Sequence, residues 1–328
     1  MNKDLRKAHL LMSTVRDEVH KRIVGMDDVI GHVLVAIFAD GHVLLEGVPG
    51  IGKTYLINTI AEATSVKFSR VQMTPDLYPR DLWSVPDITN SEKMKFLPGP
   101  IYTNFLLTDE LNRASSKVQS ALLEAMQERQ VTTGTETTSL PRPFLVFATE
   151  NPIEEEGTYP LSEAQKDRFL MKIFTGYPSH EESVIIATLS SKPDPVEKVM
   201  SGEDILSVQQ LIEKEVRIDP VLVENCVTMA ELTRPENSKL AKEKFSTGAS
   251  TRAPMALVRS AKAMAVLRGR DYVLPQDLIE LSSSVLCHRV VFEDRFTPDE
   301  YDSEFGEAME DILRQVFGRR GNDGQNRG

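Results

Sequence analysis

The octapeptide GVPGIGKT, Gly47–Thr54, sits between an apolar run, HVLLEG (42–47), and a helical stretch, KTYLINTIAEAT. The spacing G-x-x-x-x-G-K-T, with a strand before it and a helix after it, limits the chain to a narrow set of folds. Glycines let the backbone turn tightly, so that successive N–H groups point at one anion. The helix starting at Lys53 adds the positive end of its dipole. Lys53 supplies a charge to the β- and γ-phosphates of a bound nucleotide, and the Thr54 hydroxyl is placed to ligate Mg²⁺. Gly47, Val48, Pro49, Gly50, Ile51, Gly52, Lys53, Thr54 and Tyr55 are therefore the expected phosphate-binding segment.

The rest of the first half fits this start. Five apolar runs, HVLLEG (42–47), VKFSRVQ (66–72), NFLLTDE (104–110), FLVFAT (144–149) and FLMKIF (169–174), read as buried strands separated by helical stretches. Such alternation predicts a three-layer α/β domain on a five-stranded, mostly parallel sheet. From about His180 onward only helical periodicity is visible, which predicts a smaller all-helical domain beginning after Tyr177–Pro178. The expected organisation is an N-terminal amphipathic helix over 1–22, carried by Leu5, Ala8, Leu11, Val15 and Val19 and packed on the core. An α/β domain over 23–178 follows, with inserts near 76–100 and 131–143, then a helical domain over 179–318. The tail 319–328 lacks any apolar residue and is expected to be disordered.

Bulk properties exclude several classes. A net charge of −11 opposes binding to duplex DNA or an anionic membrane. Two distant cysteines, Cys226 and Cys287, form neither a CxxC pair nor a zinc pattern, as expected of reduced thiols in a cytoplasmic protein. The N-terminus is broken by charges and does not read as a signal peptide, and no run is long enough to span a bilayer.

Five further residues bear on chemistry. Asp109 and Glu110 end an apolar strand side by side, and adjacent acids there need something to offset their repulsion. A Mg²⁺ held through water by Asp109 would do so, leaving Glu110 to orient or deprotonate an attacking water. A solvated strand end is the plainer account. Asn151 closes the run FLVFATEN on the sheet edge that carries the phosphate loop, within reach of a γ-phosphate or lytic water, although an Asn before Pro is also an ordinary turn former. Arg168 precedes FLMKIF with no evident partner, since Asp167 should point away on an extended backbone. It is expected to reach the nucleotide of a neighbouring subunit, with a surface ion pair as the competing account. Arg252 stands at the start of a helix, where the dipole disfavours a cation unless an anion is near.

GVPGIGKT, LLTDELNRASSKVQSALLEAMQERQVT, FATENPIEEEGTYPLSEAQKDRFLMK and GASTRA together resemble the MoxR-type AAA+ ATPases of the helix-2-insert group, over nearly all of residues 20–318. The resemblance implies a ring, usually of six subunits, with ATP and Mg²⁺ bound between neighbours. It implies that Asn151 is the first sensor, Arg168 a finger acting in trans and Arg252 the second sensor from a helical lid. It also implies a chaperone-like role in assembling metalloenzymes or protein complexes, with a von Willebrand factor A domain partner and a protein client. The segments 74–102 and 130–144 resemble inserts that face a ring pore or client. Tyr78, Trp83 and Met94 are candidates there for gripping a substrate, or equally for packing within the insert. Glu150, Met26 and Lys166 depart from that family's usual Gln, Gln and apolar residue. A non-hydrolysing ATP-gated scaffold, a chelatase subunit and a nucleic-acid motor are the competing functions. Glu110 argues against the first and the charge balance against the last.

Overall fold

The computed structural model describes residues 1–48, 50–86, 96–133, 136–150, 158–189, 194–294, 296 and 298–318. The elements run α1 (Lys3–His20), α2 (Asp27–Phe38), β1 (Val43–Gly47), α3 (Lys53–Ala63), β2 (Phe68–Gln72), α4 (Pro79–Trp83), β3 (Ser84–Pro86) and β4 (Phe96–Pro98). They continue through β5 (Phe105–Asp109), α5 (Ser116–Glu128), β6 (Gln130–Thr133), β7 (Glu136–Ser139), β8 (Leu145–Glu150), α6 (Glu163–Lys166), β9 (Met171–Thr175) and α7 (His180–Thr188). The remainder is α8 (Gly202–Glu215), α9 (Pro220–Leu232), α10 (Lys239–Lys244), β10 (Phe245–Thr247), α11 (Arg252–Leu267), α12 (Pro275–Leu286), β11 (Val291–Phe292) and α13 (Pro298–Phe317). No helix among the described residues is long and apolar enough to cross a membrane.

The chain divides into two compact units. One comprises Leu10–Phe169 with Ile173–Gln209, and the other Met1–His9, Leu170–Lys172 and Gln210–Gly328. The junction expected near Tyr177–Pro178 lies inside the first unit, because the segment 180–209 is grouped with the sheet. The tail 319–328 and residues 87–95 of the insert expected near 76–100, Met94 among them, lie outside the described residues.

In the first unit the five expected strands form one sheet in the order β2-β5-β8-β1-β9, with β2–β5, β5–β8 and β8–β1 parallel. Val43–Leu45, Phe105–Leu107 and Leu145–Ala148 are almost completely buried, as strands covered on both faces must be. Helix α5 turns Val118, Leu122 and Met126 into a core shared with Leu44, Leu106, Val146 and Phe169. Because the strands are parallel and in register, Gln72 lies beside Asp109 and Glu46 beside Glu150, so these ends share one edge of the sheet. Antiparallel hairpins β3–β4 and β6–β7 occupy the two segments expected to be inserts. Tyr78 is exposed there, whereas Trp83 packs against the core.

Helix α1 buries Leu5, Ala8, Met12, Val15 and Val19, a stripe at spacings of three and four. Met12 takes the place expected for Leu11, which is only half-buried, because positions 8, 12 and 15 keep the stripe on one face. Helix α7 opens with a reciprocal cap: Glu182 N–H donates to Ser179 Oγ, and Ser179 N–H to Glu182 Oε2.

The second unit is built on α9, α11, α12 and α13, with α11 packed against α9 and α12. Pro275 starts α12, and Asp277 in its first turn is fully buried. Asp277 accepts two bonds from Arg270, at 2.6 and 2.9 Å, one from Arg268 and one from the Leu274 N–H at 2.8 Å. Strands β10 and β11 form a small antiparallel ladder among these helices. At three and two residues they are too short for a strand period to register against the helical pattern.

Candidate active site

The phosphate loop joins β1 to α3. Gly47 sits at φ 156°, and a Cβ there would lie 2.2 Å from Thr175 Oγ1 and 2.3 Å from the Thr175 carbonyl, so only glycine fits. Gly52 precedes α3 in the left-handed region at φ 92°, which turns the first amides of the helix toward the loop. Lys53 Nζ donates to the carbonyls of Gly47, at 2.5 Å, and Val48, at 3.4 Å. Burial pushes the Lys53 pKa down, while the carboxylates of Asp109, Glu46 and Glu110 push it back up.

A cavity of about 380 Å³ opens over this loop, within the range of small-molecule sites, about 300–1,000 Å³. Gly47, Gly50, Gly52, Lys53, Thr54 and Tyr55 line one side. Asp109, Glu110, Thr149 and Glu150, from the ends of β5 and β8, line another, and Arg70 and Gln72 from β2 complete it. The repulsion between Asp109 and Glu110 is offset by named partners. Arg70 Nε lies 2.6 Å from Asp109 Oδ2, and Thr149 Oγ1 donates to Asp109 Oδ1 at 3.2 Å. Gln72 Nε2 donates to Glu110 Oε2 at 2.7 Å, and Arg113 Nε lies 3.0 Å from the same oxygen. Glu110 itself is left-handed, at φ 56° and ψ 54°, which tilts its side chain away from the strand direction at the start of a 3₁₀ turn.

Oxygen donors suit a hard divalent cation, and Asp109 and Thr54 face the same cavity. Among the described residues no group of three or more His, Cys, Asp or Glu forms a cage for a metal ion. Mg²⁺ keeps several waters and is held by one or two carboxylates plus phosphate oxygens, a donor set that Asp109 and Thr54 would suit.

The structure thus brings Lys53, Thr54, Asp109 and Glu110 together. Asn151 and Pro49 lie outside the described residues. Arg168 is not among the residues lining the cavity. It follows the short helix α6, where Asp167 is helical at φ −60° and ψ −11° rather than extended, because the turn of α6 carries on through it. Arg168 Nη1 donates to the Ala164 carbonyl at 2.9 Å, and its Nε is buried with no hydrogen-bond partner among the described residues. Arg252 is the exposed first residue of α11, in the other unit. Of the residues that depart from the family pattern, Lys166 pairs with Glu163 at 3.3 Å and Met26 is left-handed just ahead of α2.

Arg70, Gln72 and Thr149 are site residues that motif reading passes over. The available signal is that Arg70 and Gln72 stand two apart in FSRVQ, hence on one face of a strand.

Fold and site together define a P-loop nucleotide-binding protein with a separate helical unit. A family model described as "ATPase family associated with various cellular activities (AAA)" matches residues 42–171, and an "AAA lid domain" model matches 237–312. Chaperone MoxR1 of Mycobacterium tuberculosis is 45% identical over 292 residues, 88% of this chain and 77% of that protein. Protein MoxR of Methylorubrum extorquens is 31% identical over 320 residues, 92% of each. The crystal structure of a candidate ATPase from Cytophaga hutchinsonii superposes with a TM-score of 0.86 at 39% identity, covering 95% of this chain and 96% of that one. The chain belongs to the MoxR family of AAA+ ATPases.

Proposed function

We propose that this chain hydrolyses ATP in a cytoplasmic ring of six like subunits and uses the energy to remodel a protein client. The observation that carries the reading is the meeting of Lys53, Thr54, Asp109 and Glu110 on one cavity over the phosphate loop. Gly47–Tyr55 bind the phosphates, and Thr54 and Asp109 would hold Mg²⁺. When bound, the metal would neutralise charge building on the phosphate oxygens. Glu110 orients the attacking water and takes its proton. Its left-handed backbone and its two side-chain partners support a residue held in one position for that task.

Asn151 serves as a sensor of the γ-phosphate and Arg252 as a second sensor from the helical unit. Arg168 acts on the nucleotide of the neighbouring subunit. Its buried Nε, without a hydrogen-bond partner among the described residues, supports a guanidinium free to complete its bonds on a nucleotide. A chaperone role follows the name of the Mycobacterium tuberculosis relative, and a von Willebrand factor A domain partner follows the family resemblance alone.

The test mixes two inactive variants. Glu110→Gln keeps the arginine and lacks the base, whereas Arg168→Ala keeps the base and lacks the arginine. Each alone should be inactive, and mixed rings should recover part of the ATPase rate. An active Arg168→Ala variant would remove the trans assignment. Failure of verified mixed rings to recover any rate would point to a site completed within one subunit.

A further inference from the structure

Both oxygens of the Asp109 carboxylate are already engaged by protein donors, Oδ2 by Arg70 and Oδ1 by Thr149. A divalent cation with its water shell would compete with the Arg70 guanidinium for the charge of this one carboxylate. Thr149 is buried and also accepts the Glu110 N–H at 2.9 Å, so it is anchored at both ends. Arg70 differs. It projects from β2, the edge strand of the sheet, and its side chain is 51% exposed while that of Asp109 is 11% exposed. A guanidinium half in water can withdraw at little desolvation cost, whereas the carboxylate must stay where the strand end puts it.

We propose that Arg70 is a resident counter-cation for Asp109 that the divalent cation displaces, so that metal binding and the Arg70–Asp109 pair exclude each other. This rests on reading the cavity as a Mg²⁺–nucleotide site and deepens it by naming the group that sets its metal requirement. Asp109 then has a cation beside it at all times, Arg70 before the metal arrives and the metal afterwards. Without either, Lys53 alone would offset Asp109, Glu110 and Glu150 around the phosphates. Arg70 is then a positioning residue, acting through Asp109 and not on the reacting atoms.

Two consequences run in opposite directions, which separates this role from a structural one. The experiment measures binding of fluorescent N-methylanthraniloyl-ADP to the full chain, in EDTA and over a Mg²⁺ series, for the wild type, Arg70→Met and Arg70→Lys. In EDTA the Met variant should bind several-fold more weakly, because the Asp109 charge is exposed to the phosphates. It should also need about three- to fivefold less Mg²⁺ for half-maximal tightening, the size of a partly exposed ion pair. Arg70→Lys keeps the charge and should lie closer to the wild type on both measures.

An unchanged Mg²⁺ midpoint in the Met variant overturns the proposal. So does an equal loss of affinity with and without metal, which would mark Arg70 as a phosphate ligand or a strut of β2. If the wild type binds no nucleotide under either condition, the reading of the site falls and this inference with it. A structure of the wild type with Mg²⁺–ADP decides the matter even should the Met variant not fold. Arg70 Nε beyond 4 Å from Asp109 supports displacement, and a retained ion pair refutes it.

Discussion

Thr149→Val removes one hydroxyl and leaves the shape of the side chain almost intact, so it isolates what that hydroxyl does. Thr149 Oγ1 accepts the Glu110 N–H at 2.9 Å and donates to Asp109 Oδ1 at 3.2 Å, tying both acids to the end of β8. The first bond is worth about 1 kcal/mol net, and the second, long but to a charged acceptor, about 1.5 kcal/mol. Losing both should lower the stability of the first unit by about 2.5 kcal/mol, read as a shift in the urea midpoint. The kinetic effect should be larger in proportion. A left-handed residue such as Glu110 costs about 1–2 kcal/mol and relaxes when a tether is cut. A displacement of about 1 Å in a catalytic group costs on the order of 100-fold. Steady-state phosphate release should therefore fall about 10- to 100-fold in kcat, with nucleotide affinity changed by less than about threefold, since the phosphate loop is untouched. Thr149→Ser keeps the hydroxyl and should restore both. A Val variant with wild-type kcat and a midpoint shift equivalent to less than about 0.5 kcal/mol would refute the claim that this hydroxyl holds the two acids.

In the second unit, Asp277→Ala should cost about 4 kcal/mol, because it strands the mostly buried guanidinium of Arg270 and the Leu274 N–H together. Arg268→Ala, whose side chain is 38% exposed, should cost about 1 kcal/mol or less, and urea unfolding of both variants would test the contrast. Burial pushes the Cys226 thiol up to about 12 from 9.0, so the folded state keeps a proton that the unfolded chain gives up above pH 9. That stability is fully present below pH 9 and is lost at about 1.4 kcal/mol per pH unit up to about 12. Cys226→Ala should therefore flatten the alkaline fall of the urea midpoint, and an unchanged slope would contradict the assignment.

How far the site could be read in advance follows from how its residues are connected. Gly47–Tyr55 and Asp109–Glu110 are contiguous strings, and each carries its own chemistry and a strand beside it, so the sequence alone exposes them. Arg70, Gln72 and Thr149 do not, because what makes them site residues is a register. Arg70 meets Asp109 across 39 residues only because β2 pairs with β5 so that Gln72 lies opposite Asp109. A slip of one residue would turn Arg70 to the other face, and no local pattern records which register is adopted. The same distinction explains the fold. The interior strands are continuous apolar runs and are plain in the sequence. The edge strand FSRVQ is mixed, and Arg70 and Gln72 look like ordinary solvent-facing residues until pairing with β5 brings Asp109 to the first and Glu110 to the second. Asp167 is helical and not extended for a related reason: the conformation of a polar loop depends on the turn it closes, here α6, and not on its own composition.

The Asp109–Glu110 pair shows why this matters for mechanism. Motif reading assigns the two acids to a metal and a water, and asks that something offset their charges. The fold supplies protein partners for both, Arg70 for Asp109 and Gln72 with Arg113 for Glu110. Arg70 stands on the edge strand with half of its side chain in solvent, so it can be exchanged without moving the sheet. The acids stay fixed by β5, by the left-handed turn at Glu110 and by Thr149. Fixed acids beside one exchangeable counter-cation are what a site needs if a metal and a nucleotide are to enter and leave while the scaffold stays put.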